Sequence, residues 1–149
     1  MMKEWLTVVA CAVLLLAACA EPSSREQFIR SDGSGEYSFP VEMNDSSAVY
    51  DLSFYTVIDK PLLRPDTLGF IPMKLLWRSP SGMYMSEKVF YPADSLLVCY
   101  RRNLEPVDTG TWILEVSVEN EPEGMRGLGL IVAKKYIYLR DETKPNKTE

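Results

Sequence analysis

A chain of 149 residues is the size of one ordinary domain and short for two. Its 16 Lys+Arg against 21 Asp+Glu leave a formal net charge of −5, so no excess of cations exists to displace counterions from phosphates, which argues against a general nucleic-acid binder and leaves only Arg101-Arg102 and Lys134-Lys135 as local basic pairs. Histidine is absent, which removes Ser-His-Asp and Cys-His catalysis and imidazole-based metal sites, while 46% hydrophobic and 25% charged residues suit a folded domain and exclude wholesale disorder.

Residues 1 to 18 read as a targeting segment rather than as part of the fold. Lys3 gives a short charged start, and from Leu6 to Ala18 the chain is almost continuously apolar (LTVVACAVLLLAA). That length suits the hydrophobic region of a signal peptide and falls short of the roughly 20 residues a bilayer-spanning helix needs. The run closes with Leu16-Ala17-Ala18-Cys19, small residues that fit a signal peptidase followed by cysteine. These four residues resemble the lipobox of bacterial lipoproteins. The resemblance implies lipidation of the Cys19 thiol, cleavage before it and acylation of the new amino terminus. Cys11 then leaves with the signal and Cys19 carries lipid. Cys99 alone remains, so the mature monomer forms no internal disulfide.

From Ala20 to Gly35 the chain is polar, with one apolar pair at Phe28-Ile29, and reads with Cys19 as a flexible tether over 19–35. At the other end, Asp141 to Glu149 (DETKPNKTE) lacks any apolar residue and reads as a disordered tail. The folded domain is expected over 36–140.

Within it the hydrophobic period is two. Trp112, Leu114, Val116 and Val118 alternate with mostly polar neighbours over Thr111 to Asn120, the pattern of a half-buried antiparallel strand. Over Ala48 to Ile58, Tyr50, Leu52, Phe54, Thr56 and Ile58 share one face. Further strands are expected at Tyr37–Val41, Ile71–Trp77, Met83–Tyr91, Ser95–Tyr100 and Leu128–Leu139. Turn formers separate them at Asn44-Asp45-Ser46-Ser47, Ser79-Pro80-Ser81-Gly82, Pro92-Ala93-Asp94, Asp108-Thr109-Gly110 and Asn120 to Gly127. No ten-residue stretch carries a helical stripe. Seven to eight short strands at this spacing predict an all-β fold, an antiparallel β-sandwich of jelly-roll type, with a closed barrel as its rival.

Candidate chemistry is sparse. Asp51, Glu115 and Glu119 project from polar strand faces, and Glu115 and Glu119 stand roughly 13 Å apart along their strand, too far for a glycosidase pair at about 5–9.5 Å. Met83 and Met85 flank Tyr84 on one strand face. Two thioethers suit Cu(I), but such sites recruit histidine or more methionines, so both are read as core or surface filler. Cys99 lies in Leu96-Leu97-Val98-Cys99-Tyr100 and is expected to be a buried, inert thiol. Trp77 shares a face with Met73 and Leu75 and is expected in the core. Tyr136, Tyr138 and Arg140 share one face and stay unassigned between core and binding platform. Catalytic residues, cofactors and metals are therefore expected to be absent, and Cys19 is the one site residue assigned.

The order of features in the C-terminal half is familiar. Asp108-Thr109-Gly110-Thr111-Trp112-Ile113-Leu114-Glu115-Val116 is a glycine turn entering a strand, followed by Met125-Arg126-Gly127-Leu128-Gly129-Leu130-Ile131-Val132. Earlier come Tyr37-Ser38-Phe39, Tyr50-Asp51-Leu52-Ser53-Phe54 and Leu75-Leu76-Trp77-Arg78-Ser79-Pro80-Ser81-Gly82. Over 37–135 this resembles the GldH family of gliding-motility lipoproteins from Bacteroidetes. The resemblance implies a non-enzymatic, membrane-anchored accessory subunit of a cell-envelope complex, with envelope proteins as partners. Ala20-Glu21-Pro22-Ser23-Ser24 lacks the acidic run that marks surface export in that lineage, which favours the periplasmic face over the cell surface. The alternative expectation is an extracytoplasmic module that binds a glycan or another ligand. An exposed coplanar row of Tyr and Trp would favour the glycan, and an apolar patch rimmed by polar groups a protein.

Overall fold

The computed structural model describes residues 23–59, 69–93, 95 and 97–137. The targeting segment expected at 1–18, Cys19, Tyr138, Arg140 and the tail expected at 141–149 lie outside the described residues. Among the described residues eight strands follow one another: β1 (Ser24–Arg30), β2 (Glu36–Met43), β3 (Val49–Ile58), β4 (Phe70–Arg78), β5 (Tyr84–Pro92), β6 (Val98–Leu104), β7 (Gly110–Val118) and β8 (Met125–Lys135). They form two four-stranded antiparallel sheets, ordered β1-β8-β3-β6 and β2-β7-β4-β5. Six of the seven connections pass from one sheet to the other, and only β4–β5 is a hairpin within a sheet. This is the strand order of a jelly roll, so the expected β-sandwich is the fold and its barrel rival is not.

The core is the sum of the period-two faces. Phe39, Val41 and Met43 from β2, Leu52 and Phe54 from β3, Met73, Leu75 and Trp77 from β4, Leu114 and Val116 from β7, and Leu128 and Leu130 from β8 are all buried. Burying such side chains contributes about 1.5–3 kcal/mol each before the entropy of ordering is subtracted. The expected inward faces of β3, β4 and β7 are the observed ones.

Strand bounds shift by a few residues, with β6 running on to Leu104 and β8 beginning at Met125 inside the expected turn, and two departures go further. Residues 24–30, expected within the tether, form edge strand β1, paired with β8 from Ser24 opposite Ala133 to Arg30 opposite Gly127. Backbone hydrogen bonds hold this strand. Only Gln27 and Ile29 are half-buried, so its hydrophobic signal is faint. The Gln27 amide also donates to the Pro40 carbonyl at 2.7 Å, linking β1 to β2 across the sandwich. Secondly, Cys99 is exposed rather than buried. β6 turns Val98 and Tyr100 toward the core, and strand alternation then sends Cys99 outward, where its Sγ accepts from Arg102 Nε at 3.3 Å.

One glycine makes the β1–β8 pairing possible. A Cβ at Gly127 would lie 2.2 Å from the Ile29 carbonyl oxygen and 2.8 Å from Phe28 Cζ. The obstacle is backbone, which yields only by moving the strand. Gly127→Ala is therefore expected to destabilise the domain by about 1–3 kcal/mol, as overpacking does. Hydrogen exchange would locate the damage: the amides of residues 24–30 should lose protection first, and protection there equal to wild type would refute the assignment.

Candidate functional site

All strand ends collect at two poles. At one pole lie the start of β1, the end of β8, the β2–β3 loop, the β4–β5 turn and the β6–β7 loop. Register fixes this: Ser24 is opposite Ala133, Val49 opposite Lys135, Met43 opposite Gly110 and Arg78 opposite Tyr84. The described chain begins at this pole, the one nearer in sequence to the lipid anchor expected at Cys19, and it is labelled the anchor pole for that expectation. At the distal pole lie the ends of β1, β3, β5 and β7 and the starts of β2, β4, β6 and β8.

The anchor pole carries an apolar mouth between the two sheets. It is a concavity of about 350 Å³ lined by Met43, Trp77, Met83, Met85, Val107 and Trp112, with Tyr84, Leu104 and Pro106 beside them and Arg101 and Glu105 at the rim. Trp77 and Trp112 meet edge to face, ring centroids 6.0 Å apart at 82°. Both indole N–H groups are already used. Trp77 Nε1 donates to the Tyr100 hydroxyl at 3.0 Å and Trp112 Nε1 to the Asp108 carbonyl at 2.9 Å. What the rings offer the mouth is therefore carbon.

One wall is bare. Met85 sits opposite Trp77 and so belongs to the inward face of β5, yet it is 54% exposed. Met83 at 55% and Val107 at 77% stand out beside it. The filler reading of the methionines holds in so far as they are surface residues, but neither belongs to the core. Exposed thioethers suit adaptable apolar contacts.

A clamp closes the rest of this edge. Glu87 of β5 accepts from the Tyr100 hydroxyl and, at 2.8 and 2.7 Å on its two oxygens, from Arg101 of β6. The guanidinium also lies 4.6 Å from the Tyr100 ring centre. This charge-assisted fork joins the two sheets across their open side.

The second candidate surface is on the outer face of β4 and β5 at the distal pole. Phe70 and Phe90 are 67% and 59% exposed. Phe90 is opposite Pro72, which places Phe70 diagonally across from it on the same face. The Lys88 ammonium lies 5.8 Å from the Phe90 ring centre. Beyond Lys88 the face carries charged groups around a hollow of about 490 Å³, lined by Leu76 as well as by Lys74, Ser86, Lys88, Glu115 and Ser117. Here Glu119 receives Lys74 at 2.9 Å and Lys88 at 3.6 Å, and these ammonium groups hold its carboxyl below the usual range.

The remaining carboxylates singled out in the sequence are also engaged. Asp51 accepts from Lys135 at 2.7 Å and from the Asn103 amide at 2.8 Å, and those bonds hold it below its ordinary value. Glu115 pairs loosely with Arg78 at 3.5 Å. Neither Asp51 nor Glu119 is poised as a general acid. Among the described residues no group of three or more Cys, Asp or Glu side chains could hold a metal, and no helix is long and apolar enough to cross a membrane. Tyr136 is half exposed and donates to Asp45 at 2.6 Å.

Sequence reasoning missed both surfaces as sites. The mouth draws on β2, β4, β5, β6 and β7, so no local spacing records it. Phe70 lay just outside its expected strand, and Phe90 was noticed only as one of many aromatics.

No protein-family model matches the sequence, and no curated protein does. Among solved structures, the chain is similar to a crystal structure from Sulfurospirillum deleyianum at 11% identity and a TM-score of 0.43, covering 80% of this chain and 100% of that one. It is also similar to TmCBM61, solved in complex with β-1,4-galactotriose, at 16% identity and a TM-score of 0.38, covering 76% of this chain and 88% of that one.

Proposed function

We propose that this chain is a non-enzymatic lipoprotein, anchored through Cys19 outside the cytoplasm, that serves as an accessory subunit of a cell-envelope complex resembling the gliding-motility and secretion apparatus. The observation that carries the reading is the position of the Phe70–Phe90 patch. It lies at the pole opposite the anchor, exposed, apolar and bordered by Lys88 and the charged hollow. An apolar centre with a polar rim is the anatomy of a protein interface. Tethering confines the domain to a membrane surface and raises its effective concentration for a partner there, so modest intrinsic affinity suffices.

A glycan would be served by exposed Trp or Tyr rings in a row; both described tryptophans are core or mouth wall, 3% and 9% exposed, and the exposed tyrosines Tyr84 and Tyr136 stand apart, one at the start of β5 and one beyond the end of β8 in the other sheet. The engaged carboxylates and the missing histidine support the non-enzymatic part.

A photo-crosslinking residue in place of Phe90, activated in intact cells, is expected to trap one envelope protein. The pair Phe70→Ser and Phe90→Ser should abolish its co-purification while shifting the melting temperature by no more than a few degrees. Saturable polysaccharide binding lost in the same variant, with no protein trapped, would overturn the reading in favour of the glycan module.

A further inference from the structure

The chemistry of a partner for the apolar mouth follows from where the chain enters. We infer that the mouth seats on the lipid bilayer itself, as a second membrane contact beside the acyl chains of Cys19. The inference rests on the lipid anchoring proposed above and adds a surface to it.

Chain length sets the geometry. Ser23 is fastened to the anchor pole, its carbonyl accepting from the Lys134 amide at 2.7 Å. Three residues lie between it and Cys19, and the four Cα–Cα steps that join the two reach at most about 14 Å when fully extended. The anchor pole therefore stays within that distance of the lipid, while the Phe70–Phe90 patch points away. The mouth lies along the same pole, between β5 and β6. β6 is three strands from β1 in its sheet, about 14 Å at ordinary strand spacing. A slight tilt brings the mouth to the headgroups without stretching the tether.

What the pole presents suits that contact. Met83, Tyr84, Met85 and Val107 are exposed on the β4–β5 turn, the start of β5 and the β6–β7 loop, and Ile137 is exposed just beyond β8. The tips are braced: Ser81 of the first turn hydrogen-bonds Asp108 of the second loop. The Ser79 hydroxyl accepts from the Met83 amide at 3.0 Å. An apolar set on a braced frame, with Tyr84 offering a hydroxyl at the boundary, matches the interfacial layer of a bilayer. Glu105 and Asp45 lie at the same pole, and Asp45, held by Ser47 and Tyr136 at a pKa of about 2, stays ionised.

Once residues 1–18 are removed, Trp77 and Trp112 are the only tryptophans, and both line the mouth. Their fluorescence therefore reports it alone. The test uses residues 19–149 with Cys99→Ser, coupled through the Cys19 thiol to a maleimide lipid in phosphatidylcholine–phosphatidylethanolamine vesicles, so that tethering does not depend on cellular lipidation. Vesicles with acyl chains brominated near the headgroup should quench at least a third of the emission. Met83→Asp with Val107→Asp should remove that quenching while the protein still sediments with the vesicles and keeps its melting temperature. Wild-type emission untouched by brominated lipid, with acrylamide reaching the tryptophans equally with and without vesicles, overturns the bilayer contact and leaves the mouth to a protein occupant. Failure of Cys19 to take up fatty acid in cells would count against the anchoring alone.

Discussion

Replacing Trp112 by Ala is expected to destabilise the domain by about 3–5 kcal/mol, the range for removing a large aromatic from a core. The ring is 9% exposed, packs edge to face on Trp77, and continues a buried file through Leu114, Val116 and Val118. Truncation loses the apolar burial, the aromatic contact and the indole bond to the Asp108 carbonyl. That bond also pins the β6–β7 loop, so the mouth should widen as the core weakens. Against a total stability of about 5–15 kcal/mol the loss is a large fraction, and for a domain of this size it corresponds to a fall in Tm of roughly 10–20 °C. Thermal unfolding followed by far-ultraviolet circular dichroism measures it. A variant melting within a degree or two of wild type would mean that the outward and inward faces of β7 are exchanged.

Trp112 also marks what a period of two can and cannot reveal. β7 alternates cleanly because one face meets the core and the other meets water, so its parity is written in the residue types. β1 has no such contrast. As an edge strand it buries little and is defined by its pairing with β8, which no local pattern encodes. Cys99 failed for the opposite reason. Leu96 to Tyr100 is apolar on both parities, so alternation gives no inward side until β6 is seen to aim Val98 and Tyr100 at the core. The methionines show a third limit. Met85 is on the inward face of β5, as a core residue should be, but the opposing sheet does not cover β5 at that end. Burial there depends on strand lengths in two sheets at once. The fold class could be read from the chain because it is a sum of local alternations. The mouth and the Phe70–Phe90 patch could not, because each depends on which strands become neighbours.

Replacing Cys19 by Ala is expected to abolish fatty-acid incorporation and leave residues 1–18 attached. The argument runs from the chemistry of the position. Thioether formation needs a thiol, and cleavage by the lipoprotein peptidase follows it, so one substitution removes both steps. Membrane partition is the wrong readout. An uncleaved chain keeps the thirteen apolar residues from Leu6 to Ala18 and can stay associated through them. Metabolic labelling with a fatty-acid analogue and the intact mass of the purified protein separate the cases. Wild type should carry label and begin at Cys19, and the variant should carry neither change. Release of the wild type should also be difficult. Each buried CH₂ contributes about 0.8 kcal/mol, and while one acyl chain holds a protein only marginally, several on one residue hold it stably. High salt should therefore leave the protein on the membrane and detergent should free it. Label retained by Cys19→Ala would move the attachment elsewhere, and with it the pole of the sandwich that faces the lipid.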